Sequence, residues 1–281
     1  MSIYLVLQKN KILIFSLILI IISIGSLITN KLNLSVTVAG GIEIETYYEQ
    51  PINLNIIKNI LKNIGIINAS IQLQNDNKHI VIKVKDHKNI NNQTIKHILL
   101  AFSEIKLQKT HIIYHQNHIE NIITAIIGVF FGLFIYLILR FSFQFSIRTI
   151  IILLHDTVVT LGSCSVFNIE CDFLSFIAIF MIIYYSFRNI LITYHKMHSN
   201  LKYSQSLIYQ KTLTTLINQI SSKVIITSGL SFILMGIILV FGGEILRNFS
   251  IIMMISLIIT IFSSCFITEH LLSMPKYKYL I

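Results

Sequence analysis

Six stretches of this chain are apolar for long enough to cross the hydrocarbon core of a bilayer, which takes about 20 residues as a helix. They cover residues 11–29, 122–140, 147–167, 173–194, 224–241 and 249–272. A soluble domain is about a quarter charged, whereas here 12% of 281 residues are charged, 54% are hydrophobic and mean hydropathy is +0.75. The expectation is an α-helical integral membrane protein with six transmembrane helices.

A net charge of +10 would suit nucleic acid in a soluble chain. In one this apolar it places Lys and Arg against anionic membrane lipids, and no nucleic-acid partner is expected. Arg140 and Arg148 join the second and third spans, and Lys196, Lys202, Lys211 and Lys223 lie between or beside the fourth and fifth. Basic short loops stay in the cytoplasm, so these do, and Lys9 and Lys278 put both termini on the same side. The opposite connections carry Glu170 with Asp172, and Glu244 with Arg247. The first run has the basic flank and apolar centre of a signal peptide, but no Ala-x-Ala cleavage pattern follows, so it reads as a retained anchor.

Cys164, Cys171 and Cys265 are odd in number, lack metal-ligand spacing and lie in or beside apolar runs, which makes them small packing residues. No metal or cofactor is expected. The sequence holds no phosphate loop, zinc helix or plausible serine triad, so it is not expected to be an enzyme. Ser263, Ser264, His111, His115 and His118 read as scattered polar positions serving packing or solvation.

The chain divides into an N-terminal segment with the first span (1–30), a polar domain (31–120) that this topology exports, and a five-helix membrane region (121–281). Within the polar domain, alternation at residues 42–47 predicts a strand. After Pro51, Ile56, Ile57, Ile60, Leu61 and Ile64 follow helical spacing as far as Gly65. Residues 69–73 and 80–84 alternate around the polar turn QNDNK, predicting a hairpin. Residues 91–102 have helical spacing and 106–114 form a last candidate strand. The order βαββαβ predicts an α+β ferredoxin-like domain between helices one and two.

With that layout, several motifs together resemble the SecF family, the smaller membrane subunit of the SecDF complex of bacterial protein export. They are AGGIEIETYYEQP at 39–51, LRF at 139–141, LLHDTVVTLG at 153–162, NIECDF at 168–173, IITSG at 225–229 and FGGEILRNFS at 241–250. The resemblance implies an RND-like six-helix half in the bacterial inner membrane. It would pair with SecD beside the SecYEG channel, with YajC as a further partner, and use the proton gradient to help draw a translocating polypeptide outward. Two alternatives stand beside it: a SecF that has lost proton coupling and acts as a scaffold, and a stand-alone RND-type exporter of small molecules. The exporter is disfavoured because such proteins carry two six-helix halves.

Proton movement through a bilayer needs a titratable group inside the helix bundle. Asp156, preceded by His155, lies about midway along the third span. In the fourth span the family pattern Gly-Tyr-Ser-x-Asn-Asp is met by YYSFRN, so Arg188 stands at the family Asn and Asn189 at its proton-carrying Asp. An amide cannot exchange charge near neutral pH. Arg188 has two readings: a partner that would hold Asp156 ionised, or a side chain reaching to the cytoplasmic edge. In the fifth span Asn218 and Gln219 match the family while Lys223 replaces its Arg. Gly40 and Gly41, with Pro51, keep the family's turn positions at the start of the exported domain, where Thr37 replaces an Asp.

Overall fold

The computed structural model describes residues 2–48, 54–63, 69–74, 79–85, 107–201 and 209–264. It forms two compact units, Leu34–Ile123 on one side and Met1–Asn33 with Thr124–Ile281 on the other.

The chain begins with α1 (Ser2–Thr29), which belongs to the larger unit; the smaller unit opens with the short helix α2 (Val36–Ala39), which buries Val36 and Val38 and leads through Gly40 into β1 (Gly41–Tyr48). Then follow α3 (Leu54–Asn63), β2 (Ala69–Gln74), β3 (His79–Val84) and β4 (Leu107–His115). The sheet order is β2-β3-β1-β4 with every neighbouring pair antiparallel. Ile42, Ile44 and Tyr48 of β1, Ile80, Ile82 and Val84 of β3, and Ile57 and Leu61 of α3 are buried, the alternation and the i, i+4 spacing that the two element types require. On the opposite face, His115 Nε2 meets Glu43 Oε2 at 2.8 Å, and Tyr47 stacks on His79 with ring centroids 4.1 Å apart. His115 therefore has a specific partner, correcting its reading as a scattered polar residue. The expected helix at 91–102 lies outside the described residues.

The larger unit consists of α1, α4 (Ile119–Arg140) from Thr124 onward, α5 (Phe143–Val166), α6 (Phe173–Leu201), α7 (Tyr209–Phe241) and α8 (Gly243–Phe262). Five described helices are long and apolar enough to cross a membrane: Ile119–Arg140, Phe143–Val166, Phe173–His195, Val224–Phe241 and Gly243–Phe262. Two boundaries differ from the hydropathy reading. The connection expected at 242–248 is helical from Gly243, because Glu244 and Arg247 lower hydropathy without opposing helix formation; the turn is confined to Gly242–Gly243, where Gly243 has φ +70°. Helix α7 starts 15 residues before Val224, so Lys211 and Lys223 lie on a helix rather than in a loop.

Local chemistry sets the turn between α5 and α6. Asn168 takes a left-handed φ of +50° while Ile169 N donates to Cys164 O and Asn168 N to Ser165 O, a Schellman ending for α5. Asp172 then caps α6: its Oδ1 accepts from Ser175 N (2.8 Å) and Ser175 Oγ (2.7 Å), and its own N–H donates to Ser175 Oγ. Farther along the bundle, Leu137, Phe145, Ile152, Leu153, Ile190 and Val224 make one buried apolar cluster.

Helices α1 and α5 pack in parallel. Ser16 meets His155 and Ser26 meets Ser165, both at a sequence separation of 139. Gly162 lies against Ser23, at the same offset. A constant offset can arise only between helices running in the same direction in fixed register.

Candidate functional site

Asp156 is 1% exposed and sits where α5 is enclosed by other helices of the bundle. Successive residues on a helix point about 100° apart, so His155 and Asp156 address different neighbours. His155 faces α1, where its Nε2 lies 2.7 Å from Ser16 Oγ. Asp156 faces α6 and the end of α8: Ser186 Oγ donates to Oδ2 at 2.5 Å, and Ser263 Oγ donates to the same oxygen at 2.8 Å. His155 Nδ1 lies 3.1 Å from Asp156 Oδ1. An ionised carboxylate only accepts. The ring proton is therefore assigned to Nδ1, leaving Nε2 to accept from the Ser16 hydroxyl.

The result is a buried polar chain from Ser16 through His155 and Asp156 to Ser186 and Ser263, drawn from four helical segments. Three polar groups converge on one carboxyl group, so its buried oxygens have hydrogen-bond partners. The two serines can also turn and accept. A protonated Asp156 could donate to either of them without any helix moving, so the shell suits both charge states.

A wider set of polar groups lies along the same faces. Thr160 is one turn beyond Asp156 on α5, Asn189 is three residues after Ser186 on α6, and Thr260 is three before Ser263 on α8; all three are buried. Thr160 Oγ1, Asn189 Nδ2, Thr260 Oγ1 and Ser264 Oγ have no hydrogen-bond partner among the described residues.

Of the residues singled out in the sequence, His155 and Asp156 come together, and Asn189 lies on the same buried face of α6 as Ser186. Arg188 does not join them. It is exposed on the outer side of α6, with Cζ 5.2 Å from the centre of the Tyr185 ring. Tyr185 is anchored to α7 through a 2.7 Å hydrogen bond between its hydroxyl and Ser228 Oγ. Lys223 is on α7, but its side chain lies outside the described residues, as does Pro51. Gly40 and Gly41 form the turn from α2 into β1 with φ of +86° and +153°. A Cβ on Gly41 would collide with Val84 O, and one on Gly40 would sit 3.1 Å from Asn117 N.

Sequence reasoning missed Ser16, Ser186 and Ser263 as partners of His155 and Asp156. Ser263 was assigned to packing or solvation, yet it donates to Asp156. A serine in an apolar run carries no periodic signal that separates a ligand from a small packing residue.

A family model described as "Protein export membrane protein SecD/SecF, C-terminal" matches residues 90–278. The chain is 26% identical over 275 residues to the protein translocase subunit SecF of Calditerrivibrio nitroreducens, covering 94% of this chain and 90% of that one. It is similarly 26% identical over 271 residues to SecF of Rickettsia rickettsii, covering 92% and 87%. The fold is similar to the crystal structure of SecDF, a translocon-associated membrane protein from Thermus thermophilus, with a TM-score of 0.77 at 18% identity. That match covers 96% of this chain but only 38% of the SecDF chain.

Proposed function

Because the chain belongs to the SecD/SecF family of protein-export membrane proteins, we propose that it is a SecF-type translocase subunit that couples proton entry to polypeptide export through Asp156. The observation that carries this reading is the Asp156 shell. A buried carboxylate held by two serine hydroxyls and an imidazole can accept a proton and release it without losing its hydrogen bonds. The hydroxyls of Thr160 and Thr260, one turn from Asp156 and Ser263 on their own helices and without a hydrogen-bond partner among the described residues, add polar groups on the same faces as the shell.

In this reading α1 is the first of six membrane helices, both termini are cytoplasmic, and the Leu34–Ile123 unit is exported. The sheet order β2-β3-β1-β4 with α3 between β1 and β2 supports a ferredoxin-like domain. Parallel packing of α1 and α5 supports the topology, since both would run outward. The protein would act in the inner membrane with SecD, beside SecYEG.

One observation favours the scaffold alternative: the family's proton-carrying Asp is replaced by Asn189, whose amide nitrogen is buried without a partner among the described residues. Pulse-chase export of a signal-bearing reporter in bacteria depleted of their own SecF separates the two. Coupling through Asp156 requires that the unmodified chain support export and that Asp156→Asn abolish it. Export that is indifferent to Asp156→Asn and appears only with Asn189→Asp identifies a scaffold.

A further inference from the structure

Asp156 and Arg188 are the charges farthest from the ends of the described membrane spans. Asp156 is enclosed and hydrogen-bonded; Arg188 is on the outside of its helix. Arg188 is seven residues from His195, the cytoplasmic end of its span on the proposed topology, a rise of about 10 Å. It also stands 15 residues from Phe173 at the other end. A guanidinium stays charged at any physiological pH, and a charge at such depth on a lipid-facing helix costs a few kcal/mol or more. The Tyr185 ring offsets part of that, about 0.5 to 2 kcal/mol, but supplies no counter-charge. Among the described residues no ion pair includes Arg188.

Arg188 ends an outward-facing line on α6. Ile177, Met181 and Tyr184 precede it at spacings of four, three and four residues, and all are exposed. These four residues make one exposed stripe with a cation at its end, and the ring of Tyr185, tied to Ser228, lies under that cation. The solved SecDF chain provides a candidate to cover it, since more than half of that chain lies beyond the part matched here.

We propose that the Ile177–Met181–Tyr184–Arg188 line docks a membrane helix of the SecD-type partner, and that Arg188 forms an intramembrane ion pair with a carboxylate on that helix. The proposal rests on the translocase reading. A carboxylate fits because it can meet the guanidinium with paired hydrogen bonds and cancel its charge where water is excluded.

The test is capture of the tagged, full-length SecD-type partner by the full-length chain in lipid nanodiscs. The wild-type chain is compared with Arg188→Lys, Arg188→Gln and Arg188→Glu. Arg188→Glu should recover at least tenfold less partner, Arg188→Gln several-fold less, and Arg188→Lys should retain most of it. Changing the partner's membrane Asp and Glu residues to Lys one at a time should yield one substitution that restores capture by Arg188→Glu. If Arg188→Glu does not accumulate, the neutral Arg188→Gln carries the comparison. Undiminished capture by Arg188→Gln, or loss that no partner substitution restores, overturns the ion pair and leaves Arg188 to a lipid phosphate. Failure of the wild-type chain to capture the partner overturns the translocase reading itself.

Discussion

Gly162 lies so close to Ser23 that a methyl group on it would stand 2.5 Å from both the Ser23 Cα and its Oγ. The backbones of α1 and α5 therefore approach over a glycine, as membrane helices do where association depends on close packing rather than on a hydrophobic gradient. Gly162→Ala should lower the thermal unfolding midpoint in detergent, at a cost of about 1 to 3 kcal/mol. Gly128→Ala and Gly236→Ala meet no atom within 4 Å and should leave the midpoint unchanged or slightly raised. Equal behaviour of the three variants would show that the α1–α5 register is wrong. Because Ser16 belongs to the same register, Gly162→Ala should also weaken the Ser16–His155 contact seven residues away.

Ser186 and Ser263 donate to one oxygen of Asp156 from different helices. Removing either leaves the other in place, whereas removing both strips that oxygen. A hydrogen bond to a charged group contributes about 1.5 to 3 kcal/mol, so each single alanine should cost somewhat less than that. The double variant should cost more than the sum of the singles. In an Asp156→Asn background the excess should shrink, since an uncharged oxygen is less costly to strip. Thermal unfolding of the four combinations in each background measures this, and simple additivity in both would count against a shared, charged acceptor.

Asn189 makes the opposite prediction. It is 2% exposed, and its Nδ2 has no partner among the described residues, so Asn189→Leu removes a donor that gains nothing on folding. The change should be close to neutral in thermal unfolding, within about 1 kcal/mol, although Asn189 is as deeply buried as Ser186. The Thr193 hydroxyl donates to the Asn189 backbone carbonyl, which the substitution leaves intact. A loss as large as that of Ser186→Ala would mean that the amide is bonded after all.

The membrane helices were legible because a 20-residue apolar run has few other physical solutions, and the hairpin of β2 and β3 because alternation with a polar turn is nearly as restrictive. Asp156 stood out for the same reason: a carboxylate is conspicuous in such a run. Its partners were not legible. Ser186 is 30 residues away and Ser263 is 107, and neither differs locally from the small residues that let helices approach. Arg188 could not be oriented from the sequence either, because one position along a helix changes the facing direction by about 100°. That rotation separates a residue beside Asn189 in the chain from the buried face that Asn189 shares.

The turn at Gly40 and Gly41 should show two different sensitivities. Gly40 has φ +86° and ψ 153°, a conformation essentially confined to glycine and costing other residues about 1 to 3 kcal/mol, but a Cβ there would meet nothing closer than 3.1 Å. On Gly41 a Cβ would collide with Val84 O and lie 2.8 Å from Val36 Cγ1. The carbonyl belongs to the end of β3, whose Val84 is paired with Ile42, so relief of the clash requires the two central strands to part. Gly41→Ala should therefore be more damaging than Gly40→Ala. Hydrogen exchange on the full-length protein should show faster exchange at Ile42 to Ile44 and at Val84 in Gly41→Ala, with the effect of Gly40→Ala confined to the α2 end. Reporter export should fall in the same order. Were the two variants to exchange alike, the close approach of β1 to Val84 O would not be the constraint that keeps this pair of glycines.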